Sequence, residues 1–160
     1  MRTVRTLGLI AGLALAASRA HAVWIEVQLT PRNTDQWNQS FAVSARDIEG
    51  MIELRVTVEP KPGKEISPFT SGQLMVIEDN RHVASVPVAE SRDGKKVTFR
   101  FRLAPAAAAR SRFDIHEQGW EPARNPDGTP QRDEHGVPMM EMTLGGQAYW
   151  FWVRDFAGSS

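Results

Sequence analysis

The stretch IELRVTV, Ile52 to Val58, decides the fold. Ile52, Leu54, Val56 and Val58 alternate with Glu53, Arg55 and Thr57, and a period of two turns the apolar side chains to one face of a strand and the polar ones to the other. A strand with one wet face belongs to an antiparallel sheet laid on a core. The same alternation returns in VTFRFRL, where Val97, Phe99, Phe101 and Leu103 share one face and Thr98, Arg100 and Arg102 the other. Helical spacing is almost absent from the rest of the chain.

Outward from these two strands the pattern weakens but keeps its period. Trp24 to Leu29 alternates Ile25, Val27 and Leu29 against Trp24, Glu26 and Gln28; Ser40 to Ser44 is a weaker candidate. EPKPGKEISPFTSG interrupts with three prolines and two glycines, and proline lacks the donor that a central strand needs. Gln73 to Glu78, a turn at Asp79-Asn80-Arg81, and His82 to Ala89 read as a hairpin, with Pro87 placing the second strand at an edge. Ser91-Arg92-Asp93-Gly94 reads as another turn. Arg112 to Glu117 resumes strand with Phe113 and Ile115 inward, and the chain ends in an aromatic strand within GGQAYWFWVRDF, residues 145 to 156. The one helical stretch is PAAAAR, Pro105 to Arg110, too short to stand without tertiary support. The expected fold is an all-β, antiparallel two-sheet sandwich of seven to eight strands with one short helical turn near 105–110. At the level of pattern it resembles immunoglobulin-like domains, without their disulfide pair.

The opening MRTVRTLGLIAGLALAASRAHA places Arg2 and Arg5 before an apolar run from Leu7 to Ala17 and ends in Ala20-His21-Ala22. This is the layout of a secretory signal peptide cleaved after Ala22, and the run is shorter than the roughly 20 residues of a membrane span. The organisation expected is a signal peptide, 1–22, and one β-sandwich domain, 23–160, with a long loop at 121–146 and no internal repeat at a fixed period. Such a protein is periplasmic or secreted, with no membrane span after cleavage. All 19 acidic residues follow Ala22 while three of the 19 basic ones precede it, so the mature chain carries a net charge of −3. An acidic domain with dispersed arginines lacks the electrostatic footing for nucleic acid. The absence of cysteine removes thiol chemistry, thiolate metal sites and covalent haem attachment.

In the aromatic strand Tyr149, Phe151 and Val153 form one row and Trp150, Trp152 and Arg154 the other. One row enters the core. The second is either covered by the segment between Trp120 and Gly146 or left open as a platform of two indoles and a guanidinium for a protein or glycan partner. A second candidate is HGVPMMEM, where His135, Met139, Met140 and Met142, with His116 or His82, offer ligands suited to copper. Asn125, Asp127, Asp133 and Glu134 suggest calcium, but an EF-hand register starting at Asn125 puts Pro130 at the glycine position and Gly136 at that of the bidentate Glu.

No G-x-S-x-G elbow, phosphate-binding glycine loop or H-E-x-x-H pair occurs. Asp114 and His116 share a strand face that Glu117 does not. The functional expectation is an exported, non-catalytic binding or assembly module without a cofactor, using Trp150, Trp152 and Arg154. The alternatives are a periplasmic copper carrier and a hydrolase with an unrecognised site, which would show a concave pocket with convergent polar groups.

Overall fold

A computed structural model describes residues 23–158; the signal-peptide reading of 1–22 lies outside the described residues. The chain runs β1 (Val23–Gln28), β2 (Gln39–Ile48), β3 (Met51–Pro60), β4 (Thr70–Glu78), β5 (Arg81–Val88), β6 (Glu90–Asp93), β7 (Lys96–Leu103), α1 (Pro105–Ala108), β8 (Ser111–Pro122), β9 (Met140–Trp152) and α2 (Val153–Ala157). One sheet has the order β1-β9-β8-β4-β5 and the other β2-β3-β7-β6. The fold is all-β, as the alternating patterns predict.

Several particulars differ from the sequence reading. There are nine strands among the described residues, not seven or eight. β1 joins β9 in parallel, so one pair departs from the antiparallel rule. Ser91 to Asp93, read as part of a turn, form with Glu90 a strand because their backbone pairs with β7, although all four residues are exposed. The loop expected at 121–146 shrinks to 123–139, since MEMTLGG pairs with β8 as the start of β9. A second helical turn, α2, ends the aromatic strand at Trp152.

Local chemistry fixes the hairpins. β2 extends well beyond Ser44 because it returns directly into β3 through Glu49 and Gly50, at φ 55° and 79°. Asp79 and Asn80, at φ 47° and 58°, make the corresponding turn between β4 and β5. Paired left-handed residues match the twist of the flanking strands. β5 lies at the sheet edge, where Pro87 costs no ladder bond.

Between the sheets, Leu74, Phe113, Ile115, Tyr149 and Phe151 meet Phe41, Leu54, Val56, Val58, Val97, Phe99 and Leu103, all buried. Phe113 joins the layers, with ring centroids 5.5 Å from Phe99 and 5.8 Å from Phe151. Those two rings explain Gly72 in β4: a Cβ there would sit 2.6 Å from Phe99 and 2.8 Å from Phe113.

Beyond the main sheet β8 and β9 continue as a two-stranded ribbon, with Trp120 opposite Met142 and Pro122 opposite Met140. The ribbon carries two consecutive turns of the same build. Residues 124–131, RNPDGTPQ, and 132–139, RDEHGVPM, repeat at a spacing of eight, a local period that corrects the expectation of no repeat. In the first, Arg124 Nη1 donates to Gly128 O (2.9 Å) and Asn125 N to Thr129 O (2.8 Å); in the second, Arg132 Nη1 donates to Gly136 O (2.7 Å) and Asp133 N to Val137 O (2.9 Å). Ala123, Gln131 and Met139 close a ring of backbone bonds at their base: Ala123 N to Met139 O (2.9 Å), Met139 N to Gln131 O (2.9 Å) and Gln131 N to Ala123 O (2.7 Å).

Candidate functional site

β9 sends Tyr149 and Phe151 inward, with Val153 buried behind them, and turns Trp150 and Trp152 to the outer face of the five-stranded sheet, half-buried. Strand pairing sets their neighbours: Trp150 lies opposite Asp114, and Trp152 opposite Arg112. The Arg112 guanidinium sits 4.5 Å above the Trp150 ring and grips Asp114 with two bonds, Nε to Oδ1 and Nη2 to Oδ2, both 2.6 Å. The hydrogen bond to Asp114 raises the pKa of Arg112, outweighing partial burial. Asp114 is itself buried on this outer face, beneath the arginine and the indole.

Trp152 stands edge-on to Trp150, centroids 6.0 Å apart at 89°. The chain has turned helical by Arg154, so this residue does not continue the strand row; its guanidinium instead lies 4.9 Å over Trp152. The alternation of arginine, indole, indole and arginine is a braced unit, each ring held by a cation–π contact. Toward the other end of the face, Gly146 and Ala148 leave room on β9, and Trp24 lies edge-on to His116 at 5.7 Å.

The segment between Trp120 and Gly146 does not cover this row. It leaves the sheet at the far end of β9, at Met140, about 33 Å from Trp150 at the usual rise per residue. Trp120 and Met140 turn toward Ile66, Pro68, Arg92, Gly94 and Lys95 at the end of the four-stranded sheet.

A second feature escaped sequence reading. Where β8 and β9 leave the main sheet the register slips between Gln118 and Trp120, and a bulge of this kind re-aims side chains. Glycines make it possible: a Cβ on Gly146 would lie 2.9 Å from Gly119 N and closer still to the Glu117 carbonyl oxygen. Gln118 Nε2 clasps the bulge by donating to Thr143 O (2.6 Å) and Gly145 O (2.8 Å). Beside it opens a cleft of about 540 Å³ lined by Asn38, Gln39, Lys64, Glu65, Glu117, Trp120, Thr143 and Gln147. Glu117 accepts bonds from Ser67 N (3.1 Å) and Gln39 Nε2, yet burial pushes its pKa up. Tyr149 Oη donates to Gln147 Oε1, and burial, helped by the charge of Glu117, pushes its pKa up to about 12. The only early pointers in sequence are Gly119 and the Gly145-Gly146 pair, since glycine inside a strand marks a bulge or a close approach.

The remaining candidates are dispersed. His135 stands exposed at the tip of the second ribbon turn, 3.4 Å from Glu134; Met139 and Met142 are exposed and Met140 faces Ile66 and Trp120. His116 is occupied with Trp24, and His82 is exposed on β5. Asp127 Oδ1 accepts from Thr129 N and Oγ1, and Asp133 Oδ1 from His135 N and Val137 N, so both carboxylates serve their own turns. Among the described residues no group of three or more His, Asp or Glu side chains is placed to hold a metal ion, and no helix is long and apolar enough to cross a membrane. A scan against protein-family models and a search of curated proteins each find no match to this chain.

Proposed function

We propose that this chain is an exported, non-catalytic binding module of immunoglobulin-like build that recognises a protein partner through the outer face of its five-stranded sheet. Export rests on the basic, apolar and small-residue pattern before Val23. The immunoglobulin-like part is supported by strand order: β2-β3-β7-β6 repeats the A-B-E-D order of such domains, and β5-β4-β8-β9 the order C′-C-F-G.

The observation that carries the reading is the pair of half-buried indoles on the outer sheet face, each with an arginine laid over its ring. Tryptophan and arginine are the residues that dominate protein interfaces, and rings already fixed in place lose little entropy on docking. The same arginines argue against a glycan, because stacking a sugar on Trp150 would first require lifting Arg112 off the ring and out of its double bond to Asp114. Arg154 makes no ion pair among the described residues and offers its charge to a partner carboxylate.

The test places a photo-crosslinking residue at Gln73, which neighbours Asp114 on this face, and a control at Thr98 on the opposite sheet. A partner captured from the exported fraction at Gln73 alone is then titrated by calorimetry. We expect Trp150→Ala and Trp152→Ala each to weaken binding by about 30-fold, near 2 kcal/mol, with the near-ultraviolet circular dichroism still that of a packed core. Equal affinity of the double variant, or capture only from Thr98, would reject the assignment.

A further inference from the structure

The cleft at the β8–β9 bulge has no part in that reading, and its chemistry is of another kind. We propose that it is a binding site for a neutral, hydroxyl-rich ligand, a sugar unit. Its volume, about 540 Å³, lies inside the roughly 300–1,000 Å³ typical of small-molecule sites.

The lining argues for hydroxyls. Asn38, Gln39 and Gln147 bring amides to one space; the exposed Asn38 offers a donor and an acceptor side by side and Gln147 keeps its amide donor, a pattern matched to neighbouring hydroxyls, while Gln39 is held on Glu117. Glu117 is a half-buried acceptor on the cleft wall, holding two protein bonds; a ligand O–H satisfies its free lone pairs without bringing a second charge. Glu117 and Glu65 together oppose an anion, and Lys64 on the same wall offsets part of their attraction for a cation. Trp120 supplies a flat apolar wall for the C–H face of a sugar ring. Unlike Trp150 and Trp152, it has no guanidinium over it among the described residues. The Gln118 clasp and the glycine wall hold the floor in place before a ligand arrives, which lowers the ordering cost of binding.

The experiment uses the chain from residue 23 and follows tryptophan indole N–H resonances by NMR, with Trp120 assigned through Trp120→Phe. The probes are glucose, galactose, mannose, N-acetylglucosamine, cellotriose and chitotriose, each up to about 50 mM so that Kd values near 1 mM saturate. We expect at least one sugar to move the Trp120 resonance saturably. Asn38→Ala, an exposed position that leaves the core intact, and Trp120→Ala should each weaken that sugar tenfold or more, while Trp150→Ala/Trp152→Ala leaves it unchanged. The proposal is overturned by the absence of any saturable shift, by binding indifferent to Asn38→Ala with the fold preserved, or by saturation with arginine amide in place of the sugars.

Discussion

Tyr149 is the one tyrosine of the chain, so its ionisation can be followed by ultraviolet absorbance without overlap from a second phenol. Burial and the neighbouring Glu117 charge push its pKa up to about 12. A phenol whose folded pKa lies above its unfolded value, near 10, stabilises the fold fully below pH 10, and that contribution is lost as pH rises toward 12. The absorbance midpoint is therefore expected near 12. Glu117→Gln should lower it, because the neutral amide removes a repelling charge. A midpoint near 10 with native circular dichroism would contradict the buried placement of the ring. Glu117 obeys the same sign: its folded pKa is raised, so the carboxyl favours the folded state below the ordinary glutamate range, and this contribution fades as pH rises through the folded value. Thermal melts across that window should show wild type gaining on Glu117→Gln toward acid and losing that advantage toward neutrality.

At the scale of elements the glycines divide into two kinds, and the difference can be measured. Gly128 takes φ 84° at a ribbon turn with nothing within 4 Å of a built Cβ, so Gly128→Ala meets only the backbone penalty, about 1 kcal/mol. Gly146 lies in β9 against the Glu117 carbonyl and, at 2.9 Å from a built Cβ, the amide nitrogen of Gly119. Backbone atoms held in a ladder cannot yield as a flexible side chain would. Gly146→Ala should therefore cost about 2–3 kcal/mol and open the cleft wall, whereas Gly128→Ala leaves the cleft unaltered. Urea midpoints for the two variants at equal slope decide the ranking, and a Gly146→Ala midpoint at or above that of Gly128→Ala would refute the glycine-built bulge. The same bulge explains why the two strands that carry Trp150 and Asp114 also carry Trp120 away from them toward the four-stranded sheet.

At the scale of the whole molecule, the sequence makes legible what repeats along a strand and hides what depends on assembly. β3 and β7 are readable because one face of each is apolar over its whole length, and the inward places of Phe113 and Ile115 follow in the same way. β6 is invisible because ESRD has no alternation and becomes a strand only through the backbone of β7. Val153 prolongs the apolar alternation of β9, so the switch to helix after Trp152 leaves no trace in the pattern. The choice of inward row in β9 depends on which rings the opposite sheet presents, Phe41 against Tyr149 at 4.7 Å among them. The cleft draws on residues near 38, 65, 117 and 147, a meeting that no local spacing announces. The paired turns at the ribbon's end, by contrast, stand apart from this assembly. Residues 124–138 contribute nothing to the buried core, and their polar atoms bond largely to one another. Ala123 N already donates to Met139 O, so an Asn-Gly turn placed between these two residues should close the strands as a tight hairpin. Replacing 15 loop residues by two lowers the entropic cost of closure by about 2 kcal/mol, offsetting the loss of the turns' own bonds. Stability should thus stay within about 1 kcal/mol of the full chain by urea denaturation, with partner binding at Trp150 and Trp152 retained. A loss of several kcal/mol would mean instead that the paired octapeptide turns brace the sandwich.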